Sequence, residues 1–94
     1  MRRAKIVCTL GPATNDQQMI DRMIAAGMNM ARLNLSHGVR EDHEKTFAMV
    51  RQGASKADVV IAIVVDLQGP KIRLGKFKNG SHEIVKGAKF TITT

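Results

Sequence analysis

Residues 28–38 read Met28-Asn29-Met30-Ala31-Arg32-Leu33-Asn34-Leu35-Ser36-His37-Gly38, and their alternation decides the fold. Successive side chains of a strand point to opposite faces. Ala31, Leu33 and Leu35 therefore share one face, and Arg32, Asn34 and Ser36 share the other. The stretch Met28 to Leu35 reads as a strand with an apolar side to bury and a polar side that ends at its C-terminus. Ser36-His37-Gly38 breaks it.

The flanks alternate between helix and strand patterns. Upstream, Ala4 to Leu10 reads as a buried strand, with β-branched Ile6, Val7 and Thr9, stopped by Gly11-Pro12. Thr14-x-x-Gln17 has capping-box spacing just ahead of a helical pattern. Met19, Ile20, Met23, Ile24 and Ala26 fall on one helical stripe, and Gly27 stands at the position that ends a helix. Downstream, Glu41, Asp42 and Glu44 crowd acidic charge into a helix start, where the macrodipole favours it. Phe47, Val50 and Ala54 share a face of that helix, and Arg51 and Lys56 lie toward its far end. Val59 to Asp66 is almost wholly aliphatic, which suits a parallel strand covered on both faces. Residues 1–66 thus read β-α-β-α-β, an α/β pattern that implies right-handed crossovers and a parallel sheet.

The pattern changes after Gly69-Pro70. Ile72 to Phe77 alternates, Asn79-Gly80 is a type I′ hairpin signal, and His82 to Val85 and Lys89 to Thr94 read as returning strands. This predicts an antiparallel β segment that belongs to a separate small domain. Three parallel strands and two helices close no barrel, and the chain stops inside a strand. The expectation is an N-terminal piece of something longer.

The 94 residues are 44% hydrophobic and 24% charged, which argues against a disordered chain. One cysteine, Cys8, excludes an internal disulfide framework and suits a reducing compartment. No apolar run approaches the roughly 20 residues that span a bilayer. The basic start, Met1 to Lys5, leads into an apolar stretch too short for a signal peptide, so the expected location is the cytoplasm. The net charge is +7. From residue 67 onward six basic residues face only Glu83, so the excess lies in the C-terminal part. Lys76, Lys78, Lys86 and Lys89 read most simply as a solvated hairpin face.

Asp66 shares a face of its strand with Val60, Ala62 and Val64 and also sits at the C-terminal end. Arg32, Asn34, Ser36, His37 and Asp66 therefore converge where α/β folds build their sites. Singly, each has a plainer reading. Asp66 could cap a turn, Asn34 and Ser36 could satisfy loop backbone, and Arg32 and His37 could be surface residues. Together they suit a phosphate and a hard cation, since arginine offers a rigid fork of donors and the others offer oxygens. Arg73 could add a second positive clamp, and Gly69 lets the backbone approach a ligand. The three histidines lack metal-ligand spacing.

Three ordered motifs resemble those of pyruvate kinases. They are Lys5-Ile6-Val7-Cys8-Thr9-Leu10-Gly11-Pro12-Ala13-Thr14, Gly27 to Gly38, and Asp66-Leu67-Gln68-Gly69-Pro70-Lys71-Ile72-Arg73. The resemblance implies the start of a (β/α)₈ TIM barrel over residues 1–70 and the first strands of an inserted small β-barrel domain over residues 71–94. It implies phosphoryl transfer from phosphoenolpyruvate to ADP, giving pyruvate and ATP with Mg²⁺. By the same resemblance Arg32 contacts the phosphorylated substrate. Asn34, Leu35, Ser36, His37 and Arg73 fall on nucleotide-contacting positions. Asn34, Ser36, Asp66 and the carbonyl of Leu67 fall on the ligands of a monovalent cation, K⁺. The catalytic lysine and the Mg²⁺ ligands would lie beyond residue 94, so no catalytic residue is expected within the chain, which alone should be inactive. A cytoplasmic homo-oligomer, tetrameric by resemblance, is expected, with no nucleic-acid or membrane partner.

One departure bears on the cation. Many family members carry a glutamate where this chain has Lys71, and the run here is similar to the branch that needs no K⁺. An ammonium is a compact point charge on a flexible stem, and Lys71 could place it where K⁺ would sit. Two rival functions remain at this point. One is a nucleic-acid-binding module using the basic segment, which carries only Phe77 and Phe90 as aromatics. The other is a stand-alone phosphate-binding module. Neither accounts for three ordered motifs.

Overall fold

In a computed structural model that describes residues 2–93, the element order is the expected β-α-β-α-β. Strands β1 (Val7–Leu10), β2 (Met30–Asn34) and β3 (Ala62–Asp66) pair in parallel in that order. Helices α1 (Gln17–Ala25) and α2 (Arg40–Ala57) connect them, and a 3₁₀ turn, Pro12–Thr14, follows β1. The register aligns Cys8, Ala31 and Ile63 across the sheet, then Leu10, Leu33 and Val65. Leu10, Ala31 and Leu33 join Ile20, Ile24, Met28, Val50, Ala54 and Ile61 in one buried cluster. Both helices therefore cover the same face of the sheet. Ile20 and Val50 are wholly enclosed, and burial of such a side chain stabilises the fold by about 1.5–3 kcal/mol.

The helix ends are specified locally. The Asp16 carboxylate accepts the Met19 N–H at 2.8 Å and is the N-cap of α1. The expected capping box at Thr14 does not form. The Thr14 hydroxyl instead accepts the Gly11 N–H at 2.9 Å, which closes the 3₁₀ turn. Gly27 has φ +111°, Met28 N–H donates to Met23 O, and Gly27 N–H donates to Ile24 O, each at 3.0 Å. This is a Schellman ending, and Gly27 supplies the positive φ it needs. Gly53 sets the approach of the two helices. A Cβ there would stand 2.8 Å from Asp21 Oδ1 and 2.9 Å from Ile24 Cδ1.

Several expectations are corrected. All three strands are shorter than the sequence pattern suggests. Ala26 is exposed, and Phe47 is 44% exposed beside the Arg51 guanidinium. Strand β3 is not covered on both faces among the described residues, since Val64 and Val65 remain 40% and 45% exposed. Residues 67–93 are exposed throughout and form no strand. The radius of gyration is accordingly 18.3 Å, against roughly 12 Å for a compact chain of this length.

Turns do form where the sequence signals them. Gly80 N–H donates to Phe77 O at 3.0 Å and Ala88 N–H to Val85 O at 3.1 Å. Gly80 and Gly87 have positive φ, but Asn79 does not, so the first turn is not type I′. It has the left-handed glycine at the end of the turn, as in three-residue hairpin loops. Met1 of the basic start and Thr94 of the last expected strand lie outside the described residues.

Candidate functional site

The sheet face turned away from the helices carries the chemistry. Thr9, Arg32 and Val64 align across it, and Asn34 aligns with Asp66 one pleat further on. Strand parity and parallel register thus bring Arg32, Asn34 and Asp66 to one C-terminal edge, as their sequence positions predict. Leu35 N–H donates to Asp66 O at 3.0 Å and extends the β2–β3 ladder to that edge.

Arg32 is the centre of the arrangement. Its Nε donates to Asp66 Oδ2 at 3.1 Å, and its Nη2 forms a shorter contact with the same oxygen. Its Nη1 donates to the Thr9 hydroxyl at 3.1 Å. The ion pair is open to water, with the two side chains 32% and 49% exposed. Pairs of that kind contribute only about 0–1 kcal/mol to stability. The contacts therefore do more to orient the guanidinium than to hold the fold.

The loop after β2 is built from its own polar groups. Asn34 Oδ1 accepts the Ser36 N–H at 3.1 Å, and Asn34 O accepts the His37 N–H at 3.3 Å. His43, in the first turns of α2, hydrogen-bonds the His37 carbonyl through Nε2 at 2.7 Å. Gly38 takes φ +77° between them. Lys71 reaches over from the segment after β3 and donates to Ser36 Oγ at 2.7 Å.

A cleft of about 680 Å³ opens beside this edge, lined by Thr9, Gly11, Pro12, Asn34, His37 and His43 among others. A second, more apolar hollow of about 670 Å³ lies on the helix side, where Leu33, Leu35, Phe47, Val65 and Leu67 meet. The side chain of Leu35 belongs to this second hollow, away from the polar edge. Leu67 is 72% exposed there. Arg73 lies in the exposed segment and makes no hydrogen bond or ion pair among the described residues. Thr9 and His43 were not singled out as site residues from the sequence. Strand parity puts Thr9 on the outer face of β1 but not beside Arg32, which the register decides, and His43 could have been found from its place at the start of α2.

Three of the four expected cation ligands are engaged by other groups. Arg32 holds Asp66, Lys71 holds Ser36 Oγ, and a backbone N–H holds Asn34 Oδ1. The Lys71 ammonium thus contacts one of these expected ligands, Ser36 Oγ. Among the described residues no three His, Cys, Asp or Glu side chains converge as a metal cluster.

The family described as pyruvate kinase, barrel domain, matches residues 1–94. The chain is 43% identical over 93 residues to a pyruvate kinase of Staphylococcus aureus (strain USA300), which covers 99% of this chain and 16% of that protein. Two solved pyruvate kinases of Cryptosporidium parvum share its fold at 38% identity. Their TM-scores are 0.75 and 0.77 over 83% and 85% of this chain, equal to 16% and 17% of theirs. The chain thus spans about 16% of the length of the curated relatives it matches.

Proposed function

Since the chain belongs to the pyruvate kinase family, we propose that it supplies the substrate-phosphate and cation part of a site that transfers a phosphoryl group from phosphoenolpyruvate to ADP. The carrying observation is the Arg32 guanidinium, fixed between β1 and β3 at the C-terminal edge of the sheet. Such transfer depends mainly on positioning and on neutralising charge as the bond to the enol oxygen breaks and the bond to ADP forms. Arg32 holds the phosphorylated substrate. Asn34, Leu35, Ser36, His37 and Arg73 serve the nucleotide, a reading supported for Asn34 and His37 by the cleft they line.

Asn34, Ser36, Asp66 and the Leu67 carbonyl form the family's monovalent-cation positions. Here the Lys71 ammonium takes the place of K⁺, a reading supported by its bond to Ser36. Mg²⁺ is the divalent cofactor, held by residues outside this chain, and it neutralises the transferring phosphate when bound. Residues 71–94 begin an inserted β domain whose strands form once their partners are present, as the glycine turns at Gly80 and Gly87 suggest. The enzyme acts in the cytoplasm as a homo-oligomer, tetrameric by resemblance.

The test is a coupled assay of pyruvate formation by the full-length polypeptide that carries this chain, with ADP, phosphoenolpyruvate and Mg²⁺. Turnover is expected from it and none from purified residues 1–94. A full-length protein that makes no pyruvate would overturn the reading.

A further inference from the structure

Resting on the assignment of Arg32 to the phosphorylated substrate, we propose that Thr9 is a positioning residue that aims the Arg32 guanidinium at the phosphoryl oxygens. Thr9 sits directly beside Arg32 in the β1–β2 register, on the face away from the core. Its neighbours Cys8 and Leu10 turn toward the helices and carry the packing. Thr9 itself is exposed and lines the cleft. Its hydroxyl accepts the Nη1 N–H of Arg32 at 3.1 Å. Threonine suits the task because its β-branch restricts χ1, so the acceptor oxygen has a fixed position.

The donor count shows what the contact achieves. A guanidinium has five N–H donors. Asp66 takes one on Nε and one on Nη2, and Thr9 takes one on Nη1. One N–H remains on each terminal nitrogen and is available to phosphate oxygens. Asp66 grips the guanidinium along one edge only. With Thr9 gone, the plane pivots on that carboxylate and the remaining fork loses its aim. With Thr9 present, neighbours on both sides of β2 fix the plane.

Steady-state kinetics of the full-length polypeptide test this with Thr9→Val, Thr9→Ser, Arg32→Lys and the Thr9→Val/Arg32→Lys double variant. Valine keeps the β-branch and removes the acceptor. Thr9→Val is expected to lower kcat/KM for phosphoenolpyruvate about tenfold, mainly through KM, with thermal stability unchanged. Thr9→Ser restores the acceptor and stays within about twofold of the parent. In the Arg32→Lys background Thr9→Val adds nothing further, because its effect passes through the guanidinium.

Parent-like kinetics of Thr9→Val, with Arg32→Lys impaired, would overturn the role of Thr9 alone. A full Thr9→Val loss that persists in the Arg32→Lys background would also overturn it. An unchanged KM in Arg32→Lys would sink the substrate assignment of Arg32, and the role of Thr9 with it.

Discussion

Lys71 Nζ donates to Ser36 Oγ at 2.7 Å, tying the segment after β3 to the loop after β2. If the ammonium takes the place of the monovalent ion, as proposed above, it does so from this contact with Ser36. The full-length protein is therefore expected to turn over at full rate in K⁺-free buffer with tetramethylammonium as counter-ion. Lys71→Glu is expected to make the rate depend on added K⁺. A large K⁺ stimulation of the parent protein would contradict the assignment.

Asp66→Asn separates activity from stability. The Arg32–Asp66 pair is solvent-open, so its loss is expected to cost no more than about 1 kcal/mol in urea unfolding. It also frees one edge of the guanidinium, and kcat/KM for phosphoenolpyruvate is expected to fall at least about tenfold. A large stability loss with unchanged kinetics would show that the pair serves the fold.

Asp21 gives a pH signature. The Lys56 ammonium, first, and the Gln17 amide hold its carboxyl below the ordinary carboxylate range. A carboxyl lowered in the folded state stabilises above its unfolded pKa, and the contribution disappears as pH falls through the folded pKa. Lys56→Met should therefore destabilise at neutral pH and make no difference in acid below the folded Asp21 pKa. Urea titrations of both proteins at the two pH values check this. An equal gap at both would remove Asp21 as the cause.

Gly53→Ala tests the helix contact. Alanine favours the helix by roughly 1 kcal/mol, but its methyl meets Asp21 and the buried end of Ile24. Overpacking of this kind costs about 1–3 kcal/mol, so net destabilisation is expected by chemical denaturation. A more stable variant would mean that α1 and α2 yield freely.

The core architecture is readable from the sequence because each of its elements follows its own periodicity. Strand parity alone puts Arg32, Asn34 and Asp66 on one face. The contact between Thr9 and Arg32 is not readable that way, because it depends on how β1 slides against β2, a relation between residues 23 positions apart. The sequence places the α1 cap at Thr14 instead of Asp16 for a local reason. Thr14 and Asp16 are both good caps, and the turn begun by Pro12 uses the Thr14 hydroxyl. In residues 71–93 the alternation and turn glycines are present without strands, since a hairpin with no surface to cover its apolar side is marginal.

Ala31, Arg32 and Leu33 are consecutive, yet the first and third are sealed under the helices while the second faces the opposite way. A ribbon one residue thick thus divides neighbouring codons into two independent tasks. Drift at the even positions can alter the chemistry of the outer face while the odd ones keep the protein folded.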